Sequence, residues 1–496
     1  MSQTTQPSEE QRQRGVAPGP PGPITRVPPE IIMETFKFVV LSSEESRSHA
    51  VKALCLVGQD WNEIANGTSD LWTKIAFVHP LHPDQISAAK KWLRASEQKA
   101  IDVEIDLRDP AWNELSGEPS HPPGYSARLQ SVVAALQGSE HRWGSLSVKS
   151  DAWSPNPESL QSWVIPNLPL LESISFQTGS EVLAMEELRH YDQFFGHPTL
   201  FDCNGTLMPK LREVSISAVA LNWESVAATS FRDLRKLQIK NQCYRDGPDF
   251  GQFANLLRAS PGLEALDVTG YFPDPRGVPV TQPEAPLIHL QELKHFTLGW
   301  SFPGFACDFL TMFQIQESLE TLSLADTESG LGVCHGPDWL FTHHTDSSEV
   351  FFRFAIIGSK NHSDGGHLRP WISLLKLKTL SVSWVACGPD AFCAFLNQAP
   401  NLEEIHLTDV SRGILEGIAA FAESRPRQSP LKLKRIVIRW VWNGGREPAD
   451  AGILVDILEQ QGFQVTVERF TGEGRPGSTP MALAALLDKE GGGRRP

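Results

Sequence analysis

A short phrase of apolar and polar positions, Leu-x-x-apolar-x-apolar, recurs through most of the chain. Successive side chains of a strand point to opposite faces, so each phrase predicts a short strand with one buried face. An additional early copy starts at Trp143. The other copies start at Leu171, Leu211, Leu234, Leu263, Leu293, Leu319, Leu377, Leu402 and Leu433.

The spacing of these first positions predicts a repeat architecture. Counting from Trp143, the separations are 28, 40, 23, 29, 30, 26, 58, 25 and 31 residues. Most lie near the ~20–29 residues that are typical of leucine-rich repeats, which this pattern resembles. The separation of 58 residues is about twice the period. We interpret it as one repeat replaced by an inserted loop at about 325–370.

Helix-like segments lie between the predicted strands. Pro248–Ser260 and Pro389–Ala399 both carry apolar residues at helical spacing, and their units align at one constant offset of 139 residues. The expected fold class is therefore α/β. It consists of a short helical module followed by an irregular leucine-rich-repeat solenoid, in which a curved parallel sheet is covered by outer helices.

A separate helical module is predicted between Val27 and Val78. Pro28 and Pro29 can open a helix because the first helical turn does not use its N–H groups, and Glu30 favours the positive end of the helix dipole. A second helical segment, Ala50–Ala65, places Trp61 among apolar residues at helical spacing. A module of this size needs a partner or a following domain to cover its apolar face.

The ordered string in this module resembles the F-box motif. Val-Pro-Pro-Glu-Ile-Ile from Val27, Leu-Cys-Leu-Val-Gly-Gln-Asp-Trp from Leu54, and Leu71-Trp72 match its start, middle and end. Val27, Gly58 and the insert 42–49 depart from it. In that family the module docks on a Skp-type adaptor of a cullin–RING ubiquitin ligase. The resemblance implies that the adaptor contact includes Pro28, Glu30, Ile31, Val57 and Trp61.

The resemblance extends to the connecting region. Trp92-Leu93-Arg94, Ile101–Ile105 and His141–Leu146 are similar to segments of large fungal F-box proteins with degenerate leucine-rich repeats, which read substrates with the repeat surface. We therefore expect five regions. These are a disordered tail (1–23), the F-box-like module (24–78), a connecting region (79–140), the repeat solenoid (141–470) and a flexible tail (471–496).

Two segments contain residue types that could bind a metal or a nucleotide. Within the predicted insert, the spacing of the acidic, His and Cys residues is wrong for the usual tetrahedral zinc sites, so a protruding polar loop is expected. These residues are Cys334, His335, Asp338, His343, His344, Asp346, His362 and His367. Gly472–Gly477 matches G-x-G-x-x-G, but Ser478-Thr479-Pro480 follows where a dinucleotide site requires the opening of a helix. No metal and no cofactor are expected.

Charge and cysteine content narrow the function classes. The 496 residues include 44 Lys and Arg against 59 Asp and Glu, a formal net charge of −15. This balance argues against nucleic-acid or anionic-membrane binding and favours a partner whose surface is neutral or basic. The seven Cys are scattered and make no disulfide framework. A cytoplasmic or nuclear protein is expected.

The leading hypothesis is a non-catalytic subunit that recognises substrates for a Skp–cullin–F-box ubiquitin ligase. Its F-box would bind the Skp-type adaptor, and through it a cullin, while the repeats would bind a protein substrate. The alternative is a leucine-rich-repeat scaffold with no ligase role, whose first helices merely cap the repeats. Because aromatic residues are favoured at binding hot spots, Trp300, Trp384 and Trp440 near strand ends are candidate substrate anchors, with core packing as the alternative for each.

Overall fold

The structure is a computed structural model, and it describes fourteen main stretches of the chain. They are 27–42, 47–108, 125–150, 167–178, 207–217, 230–240, 247–270, 287–300, 303–310, 312–315, 317–326, 372–424, 432–440 and 451–469, with residues 219, 221, 223–224 and 226 between two of them. The predicted tails, most of the predicted insert, its candidate metal ligands and the glycine-rich segment 472–477 lie outside these residues.

The first part of the chain is mainly helical. In chain order its elements are α1 (Pro29–Ser42), α2 (Arg47–Val57), α3 (Gln59–Gly67), a 3-10 helix (Ser69–Trp72), β1 (Lys74–Val78), α4 (Pro83–Ala95), β2 (Ile101–Asp106) and α5 (Tyr125–Leu136).

The remainder alternates strands with loops or helices. Its elements are a 3-10 helix (Glu140–Arg142), β3 (Trp143–Ser150), β4 (Ser173–Thr178), β5 (Glu213–Ser217), β6 (Lys236–Lys240), α6 (Phe250–Arg258), β7 (Ala265–Thr269), β8 (Ile288–Leu290), β9 (His295–Trp300), α7 (Pro303–Leu310), β10 (Phe313–Ile315), β11 (Thr321–Asp326), β12 (Thr379–Ser383), α8 (Pro389–Asn397), β13 (Glu404–Thr408), α9 (Arg412–Ser424), β14 (Arg435–Trp440), α10 (Ala451–Gln460) and β15 (Gln464–Arg469).

The chain divides into two compact units. Unit 1 consists of the described residues up to Ile75 together with Ala88–Ile101, and unit 2 consists of Ala76–Ser87 and the described residues from Asp102 onward. The two units contain different kinds of structure, because helices make up most of unit 1 whereas unit 2 contains the repeated strands.

Unit 1 differs from the sequence prediction at one point, because the predicted segment Ala50–Ala65 is two helices. The break is at Gly58, which has an extended backbone (φ 177°, ψ 172°) and stands directly before α3. Glycine loses more conformational freedom in a helix than other residues do, so interrupting the helix at Gly58 costs little free energy. The first helix begins at Pro29, in agreement with the prediction from Pro28 and Pro29.

Thirteen strands form one sheet, in the order β1-β2-β3-β4-β5-β6-β7-β9-β11-β12-β13-β14-β15. From β3 to β15 every pair of neighbouring strands in this sheet is parallel, and β8 and β10 form a separate two-stranded parallel sheet. Neighbours in the sheet are neighbours in the sequence, apart from the strands of the small sheet. The fold is therefore mixed α/β with a repeated parallel sheet, which confirms the predicted fold class.

Each predicted phrase became one strand of this sheet. The first Leu of every phrase is buried, and the strand starts two residues after it, as at Leu263 and β7. Apolar side chains fill one face in register, so that Leu266 stands beside Leu237 and Phe296. The separation of 58 residues leaves this register intact, because Thr321 of β11 pairs directly with Thr379 of β12.

Two of the helices between strands match the sequence prediction closely. Helix α6 starts after Asp249, whose carboxylate accepts a hydrogen bond from the backbone N–H of Gln252 while the Gln252 side chain accepts one from Asp249 N–H. This reciprocal pair is a capping box, which satisfies two otherwise unpaired donors. Helix α8 begins at Pro389, where the missing N–H of proline is harmless.

Helices α8 and α9 approach so closely that side chains are excluded at two glycines of α9. A Cβ at Gly417 would lie 2.8 Å from the carbonyl oxygen of Pro389 and 3.1 Å from Cβ of Phe392, and a Cβ at Gly413 would overlap the carbonyl oxygen of Cys387. Backbone atoms cannot move aside as a flexible side chain can. The sequence Gly-x-x-x-Gly in α9 therefore exists for close helix packing.

We predict that Gly417→Ala destabilises unit 2 by about 1–3 kcal/mol, because the added methyl group forces α8 and α9 apart. The measurement is the urea midpoint, followed by hydrogen exchange at peptides from α8 and α9. Gly452→Ala in α10 is the control, since a Cβ there has no neighbour within 4 Å, and it should leave the midpoint unchanged or raise it. Equal midpoints for the two variants would contradict the close-packing interpretation.

Candidate interaction surfaces

Aromatic side chains hold unit 1 together. Phe36 of α1 is buried against Trp61 of α3, with ring centroids 4.9 Å apart. Trp72 packs edge-on against Trp92 at 5.3 Å and donates its indole N–H to the carbonyl oxygen of Ala65 at 2.8 Å. Edge-to-face aromatic pairs with a satisfied indole N–H stabilise more than the buried area alone.

The structure exposes four of the five residues that the F-box resemblance assigns to adaptor binding. Pro28, Glu30, Ile31 and Val57 lie on the surface, with 56% of Ile31 and 61% of Val57 accessible to solvent. Trp61 differs, because its ring packs against Phe36 and only part of it is exposed. The Trp61 ring therefore holds α3 against α1, and only its remaining exposed part is accessible to a partner.

Sequence reasoning missed two further apolar residues of unit 1 that are more than half exposed. Phe38 of α1 is 75% exposed and Leu56 of α2 is 85% exposed. In α1, Phe36 and Val40 are buried, and Phe38 points away from that buried stripe. The helical spacing could therefore have predicted this exposure, because it places the apolar Phe38 on the polar side of the helix. Ile31 lies seven residues before Phe38, on the same side of α1.

Asp70 is the ionic centre of unit 1. Its carboxylate lies 3.3 Å from Nζ of Lys37 in α1 and 2.9 Å from Nζ of Lys99, which follows α4, and Lys37 also contacts Glu34 at 2.9 Å. The hydrogen bond from Lys99, followed by that from Lys37, lowers the pKa of Asp70 although partial burial acts in the opposite direction. Asp70 thus ties the 3-10 helix to two other segments of the unit.

The three tryptophans predicted as substrate anchors occupy equivalent positions in unit 2. Trp300, Trp384 and Trp440 each stand seven residues after the first Leu of their phrase, and Asp326 and Asp409 occupy the same position in the phrases between them. Trp300 is fully buried, which gives it the core-packing role rather than a surface one. Trp384 and Trp440 remain partly exposed, although the indole N–H of Trp440 is buried.

This position ends several strands with a left-handed backbone. Gly270 (φ 63°), Trp384 (φ 57°) and Asp409 (φ 46°) all adopt it. The N–H of Trp384 donates to the carbonyl oxygen of Thr408 at 2.8 Å, and that of Asp409 donates to the carbonyl oxygen of Arg439 at 3.0 Å. A bulky side chain at positive φ is uncommon and costs free energy. The next position, which is Asn or Cys in regular leucine-rich repeats, is Val385 and Val410 here, so hydrogen bonding across neighbouring strands holds the turn.

The face of the sheet opposite the buried leucines, here called the open face, carries polar side chains in rows. Its middle section, here called the hydroxyl floor, is partly exposed and has mostly short side chains, with the exposed His295 at one corner. The floor consists of Thr297, Thr321, Ser323, Thr379, Ser381 and Ser383. Within the described part of the chain, no side-chain hydrogen bond engages any of these six hydroxyl groups.

Longer charged side chains flank the hydroxyl floor. On one side, Asp267 accepts a hydrogen bond from Gln238 at 2.7 Å and pairs with Lys240 at 3.2 Å. On the other, Glu404 pairs with Arg435 at 2.9 Å and lies 3.3 Å from Nε2 of His406. Glu404 and His406 of β13 extend further from the backbone than Ser and Thr, whereas Ala265, Asp267 and Thr269 of β7 are about as short as the floor residues.

A ladder of alternating charges lies just before the strands. Glu264, Lys294, Glu320 and Lys378 immediately precede successive strands of the sheet, and the N–H of each of the last three donates to the carbonyl oxygen of the residue before it in this row. Nζ of Lys294 lies 3.0 Å from Glu264, and Nζ of Lys378 lies 3.0 Å from Glu320. These hydrogen bonds lower the pKa of both glutamates.

No group of three or more His, Cys, Asp and Glu residues that could hold a metal ion occurs among the residues described by the structure. In the same residues, every helix is too short or too polar to cross a lipid bilayer. The candidate metal ligands between Cys334 and His367 lie outside this part of the chain, so the expectation of no metal there stays a prediction.

Comparison with known proteins does not assign the chain to a family. No protein-family model matches the chain, and no curated protein is significantly similar to it in sequence. Among solved structures, a chain in "Crystal structure of Rad7 and Elc1 complex in yeast" aligns with a TM-score of 0.40 and 13% identity, over 88% of this chain and 93% of that chain. A similarity at this level carries no conclusion about function.

The charge cluster around Asp70 gives a pH-dependent prediction. Since folding lowers its pKa below the ordinary value of 3.8, the stabilisation is present at neutral pH and is lost as the pH falls through the folded-state pKa. Asp70→Asn should cost less than about 1 kcal/mol at pH 7, because the pairs are partly exposed, and should cost nothing in acid. Pulsed hydrogen exchange in urea, read at peptides from α1, measures the effect.

Asp60→Asn is the matched control for this prediction. Asp60 lies in the same unit, is exposed, and forms no ion pair with another residue of the described chain. It should change the stability of α1 less than Asp70→Asn does at pH 7. A loss that is the same for Asp70→Asn at pH 7 and in acid would contradict the role assigned to the Asp70 carboxylate.

Proposed function

We propose that this protein is a non-catalytic substrate-recognition subunit of a Skp–cullin–F-box ubiquitin ligase. Unit 1 would bind the Skp-type adaptor, and through it a cullin, and the open face of unit 2 would bind the protein to be ubiquitylated. The protein would act by proximity, because holding a substrate near a charged ubiquitin carrier raises the effective concentration of its lysines. It would contribute no catalytic group.

One observation carries this proposal. Four large apolar side chains of unit 1 are more than half exposed, namely those of Ile31, Phe38, Leu56 and Val57. Exposed apolar residues concentrated on a small module are a mark of a protein-binding surface. Two of the four, Ile31 and Val57, are residues to which the F-box resemblance assigns adaptor contact.

The same observation weighs against the scaffold alternative. A terminal unit that only caps a repeat array needs a polar outer surface, because nothing else covers it. In unit 1 the exposed positions Phe38 and Leu56 are strongly apolar instead. A cap would gain nothing from these side chains, whereas a docking module buries them in its partner and gains about 25 cal/mol for each Å² removed from water.

The test is co-purification of the full chain with a Skp-type adaptor. We predict that Ile31→Asp together with Val57→Asp weakens binding at least about tenfold, because each change places an unpaired charge in an apolar contact. These residues are better choices than Trp61, whose removal would also take away the ring that packs against Phe36.

Ile453→Asp is the matched control. Ile453 is an equally exposed aliphatic residue, at 60%, but lies on α10 of unit 2. It should bind the adaptor as the wild type does. Failure of the wild-type chain to bind, or full binding by the double variant, would refute the ligase proposal and leave the scaffold alternative. Hydrogen exchange of α1 and α2 confirms that both variants fold.

A further inference from the structure

Among the described residues, β15 is the last strand of the large sheet, and its apolar face is less well covered than that of the strand before it. Val465 and Val467 of β15 stand in register with Ile436 and Ile438 of β14. The two isoleucines are fully buried, whereas the two valines are half-buried. Part of the apolar row that fills the core elsewhere is therefore accessible to solvent at this end of unit 2.

Helix α9 shows what complete coverage looks like in the layer of helices, because it lies between two neighbours. Its two glycines face α8. On another side it reaches α10, since Nε2 of Gln461, the residue after α10, lies 3.5 Å from the carbonyl oxygen of Ala419. Leu415, one turn before Ala419 on that side, is only 2% exposed. Contact with the following helix thus completes the burial of α9.

Helix α10 repeats the pattern of α9 but is less buried. Its two buried leucines, Leu454 and Leu458, match two buried isoleucines of α9 at a constant offset of 40 residues. Val455 then corresponds to the buried Leu415, yet Val455 is half-buried. Terminal units of a repeat array need a cover for such apolar surface. The helix layer and the sheet therefore both expose apolar side chains at the same end of unit 2.

The sequence after β15 contains an apolar segment in the phase of the repeat at which a helix is expected. This segment is 481–487, Met-Ala-Leu-Ala-Ala-Leu-Leu. Paired residues of β14 and β15 are 29 positions apart, and the same offset takes Leu454 and Leu458 of α10 to Leu483 and Leu487. Ten residues separate β15 from Pro480, as ten separate β14 from α10. The connection is therefore as long as the one that already places a helix beside this sheet.

The residue types of the segment favour a helix. Alanine, leucine and methionine have high helix propensities, and Thr479 followed by Pro480 is a suitable helix start. Leu483, Leu486 and Leu487 recur at helical spacing, which places them on one face. An isolated helix of about ten residues is only marginally stable in water, so such a helix needs an apolar surface to pack against.

We propose that residues 480–488 form a helix that packs beside α10 and covers the apolar face of β15. Leu483 and Leu487 face the sheet, and the surface that they cover includes Val455, Val465 and Val467. The segment is part of the predicted flexible tail (471–496), to which the proposal gives a capping role. The proposal concerns unit 2 alone and is independent of the ligase role.

Hydrogen exchange of the full chain tests this proposal. Peptides from 481–488 should exchange at least about tenfold more slowly in the wild type than in the double variant Leu483→Asp with Leu487→Asp, because carboxylates at these positions prevent burial of the face. The double variant should also speed exchange in α10 and β15, which lose their cover. Peptides from α6 should be unaffected and serve as the internal reference for folding.

Ala485→Asp is the matched control. At the offset of 29 residues Ala485 corresponds to Asp456, which is exposed on α10, so a carboxylate there faces solvent. This variant should retain most of the protection. Equal exchange in the wild type and the double variant, equal losses in the double variant and Ala485→Asp, or unchanged exchange in α10 and β15 would each overturn the proposal. Protection that disappears on dilution would also overturn it, because the segment would then dock on a second copy of the chain.

Discussion

The in-register stacking of parallel strands is the constraint from which the rest of unit 2 follows. A buried Leu two residues before each of nine strands fixes where that strand begins, and the pairing then places equivalent residues side by side, as with Leu322, Phe296 and Leu380. A slip of one residue would turn the buried face outward, which costs the burial of the whole row. Core, open face and strand ends are therefore consequences of a single alignment.

Stacking in register also turns each position of the repeat into a row across the sheet. Like charges in such a row would be adjacent and would repel each other. Before the strands the chain instead alternates Glu264, Lys294, Glu320 and Lys378. Each exposed pair contributes little to stability. The alternation is confined to this part of the row, since Arg212 and Arg235, which precede β5 and β6, are adjacent like charges.

The sequence predicted the features that depend on local periodicity. The strand phrases, the helices at Pro248–Ser260 and Pro389–Ala399 and the helix start at Pro29 all appear in the structure. The exposure of the three tryptophans could not be predicted from the sequence. Trp300, Trp384 and Trp440 share one repeat position and differ only in what surrounds each strand end. Equally, no pattern distinguishes Trp384 as a residue with positive φ, since tryptophan has no preference for that region.

The two candidate surfaces differ in what they expose, and this difference bears on the proposed division of labour. Phe38 and Leu56 offer apolar area, whose burial is non-directional and nearly independent of salt. Ser381 and the rest of the hydroxyl floor offer hydrogen bonds, each of which replaces a bond to water and gains only about 0.5–1.5 kcal/mol. An apolar contact suits a lasting association with an adaptor. A floor of hydroxyls suits a partner that is selected by the geometry of its hydrogen bonds and then released, as the proposed role in substrate delivery requires.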